Sequence, residues 1–455
     1  MAKLKPVKEL FVLPTENGSF LLYAPLNRCV AEVNSATVSA LKSAAREGVD
    51  SETHPQLQPL VECGILDEEK KTPSSTCENG RKREYLPTSV TLMPTYKCNL
   101  RCVYCYANAG LDAEKDLEWN VAKAAIDLVI NNAVKLKTKH ASLGFHGGGE
   151  PLLACVLPIV KMSVAYFRDA CAKHELKGQV NSATNGVFSQ ETLEWVAENI
   201  GHLNISLDGP EVIQNTQRPK AGGQPSFDAV VRTVKYLEEH KKDYGLRATI
   251  TRESVFYMSD IVRFFKQISS NKSFHLEPLA ETGRCFTTGA KAPSSSDFVK
   301  YAIEARKVGE ELGVGVDYSA CRLHEFTTAF CGAVGRNFFV VPTGDVTSCL
   351  EVCRKSDPRS NVFFIGTYDA NDGFVFDKEK IARLSERTID KMPYCADCIA
   401  KFTCAGDCLA KVYSASGGLY DTRNNKRCGI NQDLMVYEIK LLASRRNHDN
   451  KQLTA

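Results

Sequence analysis

From Tyr85 to about Gly313 the chain alternates strand and helix six times, and few folds accommodate that order. Strand-length apolar runs fall at Ser89–Pro94, Ala141–His146, Gln179–Ala183, Leu203–Leu207, Leu246–Thr251 and Phe274–Pro278. Between and after them lie helix-period segments at Trp119–Leu136, Leu157–His174, Gln190–Asn199, Phe227–His240, Met258–Ile268 and Asp297–Leu312, with Ser189, Ser226 and Ser296 as N-cap candidates. Repeated βα units imply a parallel sheet with right-handed crossovers. Six units suit an α/β fold, an open (β/α)6 partial barrel whose working face lies at the C-terminal ends of its strands.

Other patterns flank this region. Residues 1–75 predict a small module: β-type runs Glu9–Leu13 and Ser19–Ala24 around the turn signal Glu16-Asn17-Gly18, then a strand at Cys29–Val33 and helices at Ala36–Glu47 and Leu57–Cys63. Residues 76–84 belong to a polar stretch without apolar periodicity and read as a linker. After the barrel at 85–313, residues 314–430 show turn signals and short strands at Asn337–Val341 and Val362–Gly366; a helix at Ile430–Leu442 and a polar tail complete 431–455.

Cysteine usage is the compositional anomaly. The chain has 18, of which ten fall between Cys285 and Cys428. The N-terminus has no apolar signal-peptide core and no run is long enough to span a bilayer, so a cytoplasmic location without membrane attachment is expected. In a reducing compartment such cysteines are metal ligands before they are disulfides. A net charge of +3 over 455 residues gives no electrostatic case for nucleic acid.

Cys98-Asn-Leu-Arg-Cys102-Val-Tyr-Cys105 directly follows the first strand, on the working face. The spacing lets one loop offer three thiolates to an iron–sulfur cube and leaves one iron without a protein ligand. The alternative, tetrahedral zinc, takes four ligands, usually in paired knuckles. Gly147-Gly148-Gly149-Glu150 follows the second strand, and its glycines permit close backbone approach to a ligand. Thr184-Asn185-Gly186 and Ser206-Leu207-Asp208-Gly209 follow the third and fourth strands, and Arg218 lies beyond.

This set resembles the radical S-adenosylmethionine (radical SAM) family. The resemblance implies that Cys98, Cys102 and Cys105 hold a [4Fe–4S] cluster whose open iron chelates SAM, with reductive cleavage to a 5′-deoxyadenosyl radical. It further implies that Gly147, Gly148, Gly149 and Glu150 contact the SAM amino group, and that Asn185, Ser206, Asp208 and Arg218 contact its carboxylate and ribose.

The late cysteines run Cys331…Gly344-x4-Cys349…Cys395-x2-Cys398-x5-Cys404-x3-Cys408…Cys428, an order similar to the SPASM domain with its two auxiliary [4Fe–4S] clusters. By that resemblance one cluster takes Cys331, Cys349 and Cys408, with Cys321 as the expected fourth ligand, Cys353 next, or an open iron. The other takes Cys395, Cys398, Cys404 and Cys428. Cys29, Cys63, Cys155 and Cys171 lie in apolar runs and read as buried small side chains. Glu351, two residues beyond Cys349, is the candidate catalytic base, with a solvated loop carboxylate as the alternative reading. Residues 1–75 resemble the winged-helix elements that bind a leader peptide as an added strand.

Together these resemblances imply a maturase that crosslinks a ribosomally made precursor peptide, by a thioether or C–C bond. Three clusters, SAM and an external donor of flavodoxin or ferredoxin type would serve it. An anaerobic sulfatase maturase is the alternative enzyme, and a non-catalytic multi-cluster electron carrier the alternative of another class.

Overall fold

The structure is a computed structural model describing residues 3–49, 54, 57–68, 84–111, 115–323 and 325–452, of which 446–452 are described by backbone alone. The linker expected at 76–84, Glu84 excepted, and Cys77 lie outside the described residues.

The N-terminal part contains β1 (Leu4–Pro6), β2 (Phe11–Pro14), β3 (Phe20–Ala24), β4 (Cys29–Val33) and β5 (Leu66–Glu68). β2, β3 and β4 form an antiparallel sheet in that order, and β1 pairs with β5. The helix Ser35–Glu47 is capped by Asn34, whose side chain accepts from Thr37 N. Successive side chains of a strand point to opposite faces. On β3, Leu22 and Ala24 therefore close the module's own core, while Leu21 and Tyr23 join the main core of the protein. A buried ion pair, Lys401 Nζ to Glu9 Oε1 at 2.6 Å, ties the module to the C-terminal region.

The barrel strands are β6 (Ser89–Leu92), β7 (His140–Phe145), β8 (Lys177–Thr184), β9 (His202–Ser206), β10 (Tyr244–Ile250) and β11 (Ser273–Pro278). They lie side by side in sequence order, all parallel. A seventh short strand, β12 (Gly315–Asp317), extends the sheet past the expected end of the barrel. Along β10, residues 244, 246, 248 and 250 are buried, whereas Gly245, Arg247 and Thr249 alternate onto the interior face. The helix Met258–Ile268 buries Met258, Ile261, Val262 and Phe265, at spacings that make one stripe. Truncating a buried Phe such as Phe265 to Ala costs about 3–5 kcal/mol.

Two expected caps differ. Ser189 caps its helix, accepting from Thr192 N at 3.2 Å. Ser226 instead donates to Arg218 O at 2.7 Å, and the last barrel helix, Ser295–Glu311, begins two residues earlier than expected, with Ser294 as its cap.

The sheet does not stop at β6. β13 (Phe339–Val340) pairs parallel with β6, and β14 (Asp345–Thr347), β15 (Phe364–Asp369) and β16 (Gly373–Phe376) continue it antiparallel, giving eleven strands. The edge of the barrel is thus covered by the C-terminal region. β14 and β16 carry too few residues to stand out in the sequence. The final helix runs Arg427–Gln452, and residues through Ile439 pack into the main core.

Candidate active site and cluster centres

The Cys98–Cys105 loop leaves β6 and runs beside segment 217–221. Arg101 N donates to Pro219 O at 2.7 Å, Val103 N to Gln217 O at 2.9 Å, and Ala221 N to Asn99 O at 2.9 Å. Two arginines clamp its carbonyls. Arg101 donates to Cys98 O at 2.8 Å and Gly110 O at 2.7 Å. Arg284 donates to Cys102 O at 3.0 Å and Ala109 O at 2.6 Å, and its own N–H reaches Cys105 O at 2.9 Å. Gly283 must be glycine: its φ is +54°, and a Cβ would overlap the Cys105 carbonyl. With the backbone engaged by neighbours, the side chains are left for a ligand.

The three thiols are electrostatic neighbours of one another. Burial pushes Cys98 up to about 12, and Glu150, Cys102 and Cys105 add to it. Burial likewise pushes Cys102 up to about 11, against the pull of Arg218. Leu100 N donates to Cys98 Sγ at 3.4 Å, a contact suited to a thiolate. Iron binding must therefore displace protons from these groups.

Around the loop stand the other expected residues. A Cβ on Gly149 would overlap the Lys97 carbonyl, and Glu150 N donates to that same oxygen at 2.9 Å, so the glycine run locks the β7 turn against the cysteine loop. The Glu150 carboxylate accepts from Thr184 Oγ1 at 2.7 Å, Asn185 N at 2.8 Å and Leu152 N at 3.2 Å. Burial outweighs these bonds and raises it to about 7. A ligand ammonium would favour its charged form. Asn185 joins Asn99 at 2.8 Å and approaches Cys98 Sγ at 3.8 Å. Arg218 donates to Tyr104 at 2.8 Å, and its buried Nε has no partner among the described residues, as suits a group facing an anionic ligand. Ser206 ends β9, beside Arg247 of β10. Asp208 departs from expectation. It is wholly buried, and its carboxylate accepts from Tyr104, from Gln217 at 2.7 Å and from Thr249 N at 3.1 Å. It anchors the tyrosine of the cysteine loop.

The late cysteines assemble in two groups. Burial, then Cys408, Glu351 and Cys331, push Cys349 well above its ordinary value. Cys408 is pushed up to about 12 by burial and by Glu351, with Cys331 also acting on it. Separately, Cys404 feels Cys428 and Cys398, and Cys428 feels Cys395 and Cys398. Asn431 donates to Cys404 Sγ at 3.2 Å and Gln432 to Cys398 Sγ at 3.4 Å. Arg387, nearly inaccessible, donates among the described residues to the carbonyls of Leu419, Ala405 and Gly406, and its electrostatic neighbours include Cys404, Cys408, Asp407 and Cys331. A buried cation lacking a bonded carboxylate fits a place between two anionic clusters. Among the described residues no three His, Cys, Asp or Glu side chains converge on a single metal ion.

Cys321 is not brought to either group. It lies with Arg306 and Glu438, so its sequence proximity to Cys331 misleads. Cys353 turns toward Cys105 and Arg354. Tyr106 lies between centres, feeling Cys353, Cys105, Glu351 and Cys349 after burial. Cys155 is exposed, and Cys29 and Cys63 half-buried, contrary to expectation; only Cys171 of that set is buried.

The barrel interior holds a charged group the sequence did not reveal. Glu277 of β11 accepts from Arg427 and Ser319, both at 2.6 Å, and lies 3.7 Å from Lys411. Burial pushes this carboxylate up, but Arg427, His275 and Lys411 hold it well below the usual range. Lys411 also stands 3.8 Å from Glu351, linking the barrel to the Cys349 loop.

Residues 92–264, most of the barrel, match the model of the Radical SAM superfamily. The chain is 25% identical to the cysteine-type anaerobic sulfatase-maturating enzyme of Clostridium perfringens over 230 residues, 47% of this chain and 59% of that enzyme. It spans 56% of the length of the Methanocaldococcus jannaschii protein MJ0907 and 59% of each of two Clostridium perfringens enzymes. Its fold is similar to native anSMEcpe with bound AdoMet (TM-score 0.60, 18% identity, 79% of this chain and 99% of that one), a protein also solved with AdoMet and Kp18Cys peptide. It is similar as well to Streptococcus suis SuiB bound to S-adenosylmethionine (TM-score 0.51, 15% identity, 92% and 100% covered). No helix among the described residues is long and apolar enough to cross a membrane.

Proposed function

We propose that the protein modifies a ribosomally made precursor peptide by radical chemistry, forming a thioether or C–C crosslink. The observation that carries the reading is buried Tyr106, whose electrostatic neighbours include Cys105 of the first loop together with Cys353, Glu351 and Cys349 of the later region, which supports a substrate site shared by the two. A cluster with SAM bound at the first loop would supply hydrogen-abstraction chemistry. Cys98, Cys102 and Cys105 would hold that cluster; Glu150 would receive the SAM ammonium and Arg218 its carboxylate. The two later groups would hold auxiliary clusters, with Arg387 offsetting their charge. The N-terminal sheet ends at the edge strand β4, which suits addition of an extended leader as a further strand. An external flavodoxin- or ferredoxin-type donor would supply electrons.

Anaerobic incubation of the reconstituted enzyme with SAM, dithionite and a candidate precursor peptide, such as one from a short reading frame neighbouring the gene, tests this. A precursor lighter by two hydrogens, with stoichiometric 5′-deoxyadenosine, is expected. SAM cleavage without any mass change in the precursor would refute it. A second reading, sulfatase maturation, is favoured by the 25% identity to the Clostridium perfringens enzyme. Conversion of a sulfatase-derived cysteine peptide to formylglycine would establish it instead.

A further inference from the structure

We propose that the carboxylate of Glu351 is the fourth ligand of the iron–sulfur group held by Cys331, Cys349 and Cys408. The inference rests on those three cysteines binding a cluster, and replaces the expected role of Glu351 as a base. Three thiols leave one iron to be satisfied. The two cysteines that sequence proximity offers are turned elsewhere, Cys321 toward Arg306 and Glu438, Cys353 toward Cys105.

Glu351 is placed where they are not. It follows Cys349 by two residues, and Lys411, 3.8 Å from its Oε1, sits one helical turn beyond Cys408. The side chain is thereby pinned between the segments carrying two of the three thiols. It acts on all three: it is the largest charged neighbour of Cys408 and a neighbour of Cys349 and Cys331. Its Oε2 is buried and accepts no hydrogen bond from any described residue; Arg359, at 4.0 Å, is beyond bonding distance. The side chain is a quarter exposed and Lys411 and Arg359 offset its charge, but Oε2 itself is buried without a bonded partner among the described residues, and coordination to iron would satisfy it. Carboxylates ligate iron readily, and Lys411 and Arg359 then serve as the outer partners that hold such a ligand in place.

The test uses the full chain, reconstituted anaerobically, with Cys98, Cys102 and Cys105 replaced by Ala so that only the auxiliary centres contribute to the EPR spectrum. Glu351→Ala is expected to change the spectrum of the reduced centre, and to change it again when 2-mercaptoethanol is added; the parent does not respond to the thiol. Glu351→Cys is expected to keep the iron and to shift the midpoint potential to more negative values, since thiolate donates more strongly. If the Ala variant fails to fold, the Cys variant and the thiol titration of the parent decide the matter. A parent spectrum that shifts with added thiol overturns the assignment. So do Ala and Cys variants superimposable on the parent, or a Glu351→Gln substitution that leaves this spectrum unchanged and, made in the chain with Cys98, Cys102 and Cys105 intact, slows product formation. Zinc in place of iron at the three cysteines would overturn the cluster reading itself.

Discussion

Arg284→Met tests how the first cysteine loop is held. The guanidinium is buried and makes two bonds, to Cys102 O at 3.0 Å and Ala109 O at 2.6 Å. Hydrogen bonds to charged groups contribute about 1.5–3 kcal/mol each, so the pair is worth about 3–6 kcal/mol. Met restores most of the packing, and the loop keeps its bonds to segment 217–221. A local loss of about 3 kcal/mol opens the loop roughly a hundredfold more often, since each 1.4 kcal/mol is tenfold. Hydrogen exchange should report it at Arg101 N and Val103 N, whose acceptors are Pro219 O and Gln217 O. Amides of Leu246 and Ala248, in the core of the barrel, are the internal control. Iron should fall by about one cluster's worth in the same variant. Exchange at Arg101 and Val103 within threefold of wild type, with full iron, would show that Arg284 does not hold the loop.

Three further outcomes are expected. Replacing Cys98, Cys102 and Cys105 together with Ala should remove about one cluster's iron and all SAM cleavage, while auxiliary iron stays, as read by iron analysis and 5′-deoxyadenosine release. Lys401→Met alone should cost about 3–5 kcal/mol, because it strands buried Glu9, whereas Lys401→Met with Glu9→Leu should be near neutral; denaturant unfolding of the double-mutant cycle measures it. His146, whose buried Nδ1 has no described partner, is lowered by burial and by Arg247 from 6.5 to about 4. Its contribution is present above pH 6.5 and lost as pH falls toward about 4, a change of about 3 kcal/mol that His146→Gln should remove from the pH dependence of unfolding of the metal-free chain.

The barrel was legible because its signal is local and repeated: each strand and helix carries its own periodicity, and parallel order follows from alternation. The cysteine loop was legible from spacing. What the sequence hid is long-range. Arg284 reads as one more loop cation until the fold brings it 182 positions back to Cys102. Glu277, Lys411 and Arg427 meet only because β11 and the helix Leu409–Ser416 pack across the barrel mouth. Asp208 sits at a strand end, where ligand residues gather, yet is buried beneath the loop. Cys321 was misread by the opposite error, sequence proximity standing in for spatial proximity. Ser226 illustrates competition for a hydroxyl: the Arg218 carbonyl takes the group that a cap would have used.

The parallel pairing of β13 with β6 has a bearing on how the chain is made. β6 carries the cysteine loop, and one of its two edges is completed only by residues 339–340, about 250 positions later. A ribosome adding about 5–20 residues per second leaves that edge open for tens of seconds. During that interval the strand is an available template for pairing with other chains, and the three thiols beside it lack their final surroundings. Contacts of such sequence separation also slow folding after release. Maturation of the first centre therefore belongs after synthesis of the cysteine-rich third, and a chain truncated before Phe339 should aggregate rather than accumulate as an isolated barrel.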